Sequence, residues 1–98
     1  ARSFIDFLAE AGVSVWQVLP IVPTSYADSP YQSFSTYAGN PYLIDLDDLA
    51  AEGLLDRTEY AGRTWSSQAD RVDYGALYEA RFDVLACAAR RLFFRVFP

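Results

Sequence analysis

Apolar residues change their spacing several times along the chain, and each change predicts an element. Phe4, Phe7, Leu8 and Ala11 recur at helical intervals, with Ser3 and Asp6 placed as a capping box and Gly12 as a C-cap. This predicts a short first helix. Residues 13–19 (VSVWQVL) then run apolar and β-branched with almost no polar break, which is the pattern of a parallel strand buried on both faces; Pro20 ends it. Trp16, inside that strand, is expected in the core. From 20 to 41 no period is sustained: prolines stand at 20, 23, 30 and 41, serines at 25, 29, 33 and 35, and tyrosines at 26, 31 and 37. The stretch reads as a long ordered loop with one helical turn around 35–38, its aromatic residues arguing against disorder.

Further on, 42–46 (YLIDL) reads as a short strand, 47–54 as a short helix punctuated by Gly53, 56–60 as a turn, and 62–70 as a surface connection. Over 73–94, Leu77, Phe82, Leu85, Cys87, Ala88, Leu92 and Phe93 form a broad apolar stripe beside Arg81, Asp83, Arg90 and Arg91, predicting a long helix. Helix, buried strand, long loop and helix in that order are a piece of an α/β fold. In such folds the loops leaving the C-terminal ends of the strands build the site.

Composition narrows the picture. With 98 residues, a net charge of -5 and 52% hydrophobic residues, the chain is globular in type and one domain at most. One cysteine and no histidine leave no disulfide framework, no zinc site and no expected metal or cofactor; Cys87 reads as inert core. The basic residues are 8 arginines spread from Arg2 to Arg95 with no lysine, so no basic stripe exists for nucleic acid. No stretch approaches the roughly 20 apolar residues that span a membrane, and no signal-peptide pattern opens the chain. Methionine is absent even at position 1, and Phe97 and Pro98 follow an apolar run. Residues 1–98 therefore read as an internal piece of a longer protein, with no complete domain.

Candidate chemistry concentrates in the loop at 20–41. Tyr26, Asp28, Ser29, Tyr31, Gln32, Ser33, Ser35, Tyr37 and Asn40 combine aromatic faces with mostly neutral hydrogen-bonding groups, a mixture suited to sugar rings and their hydroxyls. Each also has a plainer reading: the tyrosines as packing residues, and Asp28 as a turn former before Ser29 and Pro30. Trp65, in a polar stretch, reads as surface or lid. Asp45, Asp47 and Asp48 are not spaced to flank one bond and read as helix N-terminal charge. With no histidine to pair with a serine or cysteine and no glycine-rich phosphate loop after the strand, spacing alone identifies no catalytic residue.

At this loop the chain resembles a known family. The run Val15-Trp16-Gln17-Val18-Leu19-Pro20, then Pro23-Thr24 and Tyr26, then Asp28-Ser29-Pro30-Tyr31-Gln32-Ser33-Phe34-Ser35, Ala38-Gly39-Asn40-Pro41 and Leu43-Ile44-Asp45 is similar to the 4-alpha-glucanotransferases of glycoside hydrolase family 77, the amylomaltases or disproportionating enzymes. Phe4 to Leu8 and Val72-Asp73-Tyr74 fit the same register; beyond Tyr74 the likeness rests on helix character.

The resemblance implies the N-terminal part of a (β/α)8 catalytic barrel: its first strand, the long loop after it and flanking helices. It also implies transfer of α-1,4-glucan segments between maltodextrins by retaining double displacement, in the cytoplasm and without a cofactor. The catalytic carboxylates are then expected beyond residue 98, and the 98 residues alone are expected to be inactive. Position by position, Tyr31 matches a tyrosine lining the subsite next to the cleaved bond, Ser29 a hydrogen-bonding neighbour, and Tyr26 an aromatic of a second glucan patch. Asp28, Gln32 and Asn40 join them as expected substrate-binding residues. Val22, Ser25 and Ala27 stand where glycine is common in the family, which bears on the path of the loop. A non-catalytic glucan-binding piece and part of an α-amylase-class hydrolase are the competing readings.

Overall fold

A computed structural model describes residues 1–25 and 28–98. Regular structure among these residues is helical: α1 (Arg2–Glu10), a 3-10 turn (Pro41–Leu43), α2 (Leu46–Ala51), a second 3-10 turn (Arg57–Glu59) and α3 (Tyr74–Val96). The chain divides into two compact units, Ala1–Ala38 and Gly39–Pro98.

In the first unit, α1 starts from Ala1, which offers no side-chain cap. The capping box expected at Ser3 does not form, because Ser3 already lies inside the first turn, where its hydroxyl is past the N-cap position. The C-terminus follows the sequence pattern closely. Gly12 takes φ +78, its N–H donates to the Ala9 carbonyl at 3.1 Å, and the Val13 N–H donates to the Leu8 carbonyl at 2.9 Å. These two bonds are a Schellman motif, and glycine adopts its left-handed residue without a Cβ clash.

The strand expected over 13–19 is absent, and no strand occurs among the described residues. No backbone hydrogen bond links residues 14–21 to another described segment. A parallel strand is held by ladder bonds from its neighbours, which need a crossover connection to reach, and the described residues of its own unit supply none. The apolar residues of both faces stay open: Val15 is 79% exposed and Trp16, expected in the core, is 49% exposed. Trp16 meets Phe4 edge-on at 5.0 Å. The helical turn expected at 35–38 is also missing. The Ala38 N–H donates instead to Ser35 Oγ at 3.3 Å, and Ser33 Oγ donates to the Ser35 carbonyl at 2.8 Å, so serine side chains replace the backbone pattern of a helix.

The second unit is built on caps. Asn40 Oδ1 accepts the Tyr42 N–H at 2.9 Å with Pro41 next to it, turning 42–46 into a 3-10 turn and a helix start in place of the expected strand. Asp45 Oδ1 accepts the Asp47 N–H at 2.9 Å to open α2, whose first turn carries Asp47 and Asp48. Gly53, at φ +75, repeats the Schellman motif: its N–H donates to the Ala50 carbonyl at 3.0 Å and the Leu54 N–H to the Leu49 carbonyl at 2.9 Å. Asp56 and Glu59 form a capping box, and Asp73 caps α3 through the Ala76 N–H at 3.0 Å.

These turns deliver Leu46, Leu54, Leu55 and Tyr60 to Val84 and Ala88 of α3, forming the buried core, with Leu49, Leu85, Cys87 and Trp65 packed against it. Trp65 thus joins the core's edge. Positions 81, 84, 88, 91 and 95 fall on one face of α3, apolar in the middle and arginine at both ends. Arg81 donates to the Ile44 carbonyl. Arg91 donates to the Leu54 carbonyl at 3.0 Å and pairs with both Glu59 oxygens at 2.6 and 2.8 Å, while Arg95 donates to the carbonyls of Glu52 and Gly53 at 3.1 and 3.3 Å. The arginines therefore accept the packing duty that the turn carbonyls would otherwise leave to water.

Two outcomes follow from these contacts. Replacing Gly53 with Ala forces a Cβ onto φ +75, where it would meet the Arg95 guanidinium at 3.4 Å; chemical denaturation should show a loss of about 1–2 kcal/mol. The Arg91 hydrogen bonds, helped by the Asp56 N–H, lower the Glu59 pKa from 4.5 to about 2. The stability carried by this pair is complete above pH 4.5 and is lost as pH falls through the folded value near 2. NMR titration should place the Glu59 carboxyl there, and Arg91→Met should return it toward 4.5.

Candidate functional site

The polar loop owes its shape to bonds of short reach. The Ser25 N–H donates to the Gln32 carbonyl at 3.2 Å, closing a small loop, and the Gln32 N–H donates to the Ser29 carbonyl at 3.1 Å across a four-residue turn. Pro30 occupies the second position of that turn, where its fixed φ is already suitable. Tyr31 occupies the third, and since it does not have positive φ the turn is not of type II. Ser29 Oγ accepts the Tyr31 N–H at 3.3 Å.

Asp28 is the one non-glycine residue with positive φ among the described residues, at +52. Aspartate tolerates the left-handed region better than most residues. Its carboxylate also accepts the Thr24 hydroxyl at 3.2 Å, and its N–H donates to the Ser25 carbonyl at 2.9 Å. Neither Val22 nor Ser25 takes positive φ, so the loop reaches its turn at those positions without glycine. Tyr26 and Ala27 lie outside the described residues.

This loop brings Asp28, Ser29, Tyr31 and Gln32 together. Tyr31, at the corner of the turn, is 74% exposed, so its ring is a platform open to solvent. Ser29 and Asp28 brace the turn with the side-chain atoms that sequence reasoning offered to a ligand. Asn40 belongs to the second unit and also serves locally: its Oδ1 is taken by the Tyr42 N–H, which leaves the amide NH₂ as its remaining donor.

Five acids elsewhere are employed in structure. Asp45, Asp56 and Asp73 cap helices, Glu59 holds Arg91, and Asp47 accepts the Tyr60 hydroxyl at 2.6 Å. That last bond raises the Tyr60 pKa, with burial adding to the effect. Among the described residues no group of three or more His, Cys, Asp or Glu side chains could hold a metal ion. The second unit also carries an apolar groove of about 500 Å³ lined by Pro41, Ile44, Leu49, Leu54, Phe82 and further leucine and alanine side chains. Its walls offer no side-chain hydrogen bond to a sugar, so it is not the candidate site. Sequence reasoning missed the Thr24 to Asp28 bond, although their separation of four residues with serine and proline nearby is a turn signal.

Comparison with known proteins gives a consistent result. A family model described as 4-alpha-glucanotransferase, glycoside hydrolase 77, matches residues 1–95. A 4-alpha-glucanotransferase from Thermus thermophilus is 54% identical over 90 residues, which are 92% of this chain and 17% of that protein. One from Streptococcus pneumoniae is 47% identical over 93 residues, 95% of this chain and 18% of that protein. Among solved structures, an amylomaltase from Streptococcus agalactiae in complex with acarbose superposes with a TM-score of 0.87 at 44% identity, covering 91% of this chain and 18% of the other. The chain thus spans less than a fifth of the length of these relatives.

Loop geometry can be tested at Asp28. A β-branched residue is strained at φ +52, so Asp28→Val should open the turn and accelerate chymotryptic cleavage after Tyr31, whereas Asp28→Asn should leave the cleavage rate unchanged.

Proposed function

The chain belongs to the glycoside hydrolase 77 family, the 4-alpha-glucanotransferases, and from that premise we propose that the complete polypeptide transfers α-1,4-glucan segments between maltodextrins. In this reading the present stretch supplies sugar-binding surface and no catalytic carboxylate. The acids with described partners support the second half of that statement, because they cap helices or hold arginine and tyrosine. The chemistry is retaining double displacement. A carboxylate displaces one glucan from the anomeric carbon as an acid protonates the departing oxygen, and the acceptor hydroxyl then displaces the carboxylate while giving its proton to the same acid-base group. Those groups belong to residues outside this chain.

The observation that carries the sugar-binding role is the exposed Tyr31 ring, held at the corner of a proline turn. An aromatic face that is positioned before the ligand arrives packs against sugar C–H groups with little ordering cost. Ser29, Gln32 and Asp28 are its polar companions on the same loop in the proposal, and Asn40 and Tyr26 are further substrate contacts. Residues 13–19 take the role of the first parallel strand of a (β/α)8 barrel, a role supported by the apolar side chains that stand open along them. The amylomaltase likeness supports the same placement. A cytoplasmic location goes with this reading.

Maltotriose disproportionation by the complete polypeptide tests the proposal. Tyr31→Ala should lower kcat/KM about tenfold, and Tyr31→Phe, which keeps the ring, should retain most of it. An unchanged value in Tyr31→Ala removes the platform. Product analysis should show longer and shorter oligosaccharides together; net release of reducing ends would mean attack by water and a hydrolase.

A further inference from the structure

We propose that Arg81 is a positioning residue for the side-chain amide of Asn40, an inference that rests on the reading of Asn40 as a sugar contact. Asn40 caps a 3-10 turn of three residues, Pro41–Leu43, through Oδ1 on the Tyr42 N–H at 2.9 Å. That bond occupies the amide oxygen and leaves the NH₂ group as the donor Asn40 can offer a ligand. One turn of 3-10 helix is too short to hold itself in place, so its position comes from what grips its ends.

The grip is on α3. The Ile44 carbonyl, directly after the turn, accepts from the Arg81 guanidinium, and the Tyr42 ring lies 5.5 Å from the Phe82 ring. Arg81 is in turn fixed: its guanidinium carbon sits 5.5 Å above the centre of the Trp65 ring, and its Nε is buried with no acceptor. The group forgoes a hydrogen bond at Nε while standing over Trp65 and reaching Ile44. Burial lowers the Arg81 pKa, in keeping with a guanidinium that is partly withdrawn from water. Lysine has no planar face for the indole, so it cannot reproduce this geometry even where it reaches the carbonyl.

A double-mutant cycle on maltotriose disproportionation by the complete polypeptide tests the inference. Asn40→Asp keeps the oxygen that caps the turn and removes the NH₂ donor; Arg81→Lys keeps the charge and removes the guanidinium that stands over Trp65. Each alone should lower kcat/KM roughly three- to tenfold, the loss of one hydrogen bond to a neutral hydroxyl. The double variant should be no worse than the weaker single one, because Arg81 acts through the amide. Losses that multiply, or an Arg81→Lys enzyme with unchanged kcat/KM, overturn the positioning role and leave Asn40 a sugar contact. An Asn40→Asp enzyme that is unimpaired while Tyr31→Ala is impaired removes Asn40 from the site and the inference with it. A complete polypeptide without transfer activity defeats the functional reading itself. Should Arg81→Lys fail to fold, Trp65→Phe, which shrinks the surface under the guanidinium and leaves its charge, goes through the same cycle against the same criteria.

Discussion

Guanidinium groups reaching main-chain carbonyls hold the second unit together. Its core of six buried residues is small, and four of them arrive from a segment of short helices and turns that cannot form a continuous apolar face. Turns of this kind leave carbonyl oxygens facing sideways. Arg81, Arg91 and Arg95 stand at the ends of the α3 face whose middle is Val84 and Ala88, and they reach the carbonyls of Ile44, Glu52, Gly53 and Leu54. Apolar packing sets the distance between α3 and the turns, and the arginines set the register. Each guanidinium has several donors in one plane, which lets one side chain hold two consecutive carbonyls, as Arg95 does.

The first unit is organised by a different means. Among the described residues it has no large buried cluster, and its loop is shaped by serine side chains bonding to backbone and by the Thr24 hydroxyl donating to the Asp28 carboxylate, all within a few residues. Such bonds are local, so the loop holds a defined path without drawing on distant contacts. This is how an exposed tyrosine comes to be fixed at a turn corner instead of trailing in solvent. The same side chains that look like ligand donors in the sequence are therefore partly committed to the loop's own shape.

Helical elements were legible in the chain, and strands were not. Gly12 and Gly53 marked helix ends because a glycine at that place allows the left-handed turn, and the apolar stripe over 73–94 marked α3. These signals lie within a few residues of the feature they create. The 13–19 segment carries equally strong strand character, yet a strand is a relation between segments, and propensity cannot create the neighbour. The second misreading, at 42–46, has another cause: Asn40 and Asp45 each offered a cap, and two caps close together outweighed a five-residue apolar pattern. For the candidate site, residue type and the family pattern pointed to the tyrosine and serine positions. The left-handed backbone at Asp28 and the grip of Arg81 on Ile44 were not. The first depends on backbone angles, and the second joins residues 37 apart in sequence.

The Schellman turn at Gly12 gives the open segment after it a direction. Both of its bonds span five residues or fewer, from Leu8 to Val13, so the turn can close as soon as those residues exist. Closure aims residues 13–19 before any pairing partner is needed. A chain emerging from the ribosome would in this way present an oriented edge to whatever is made later, and order of synthesis becomes an order of assembly.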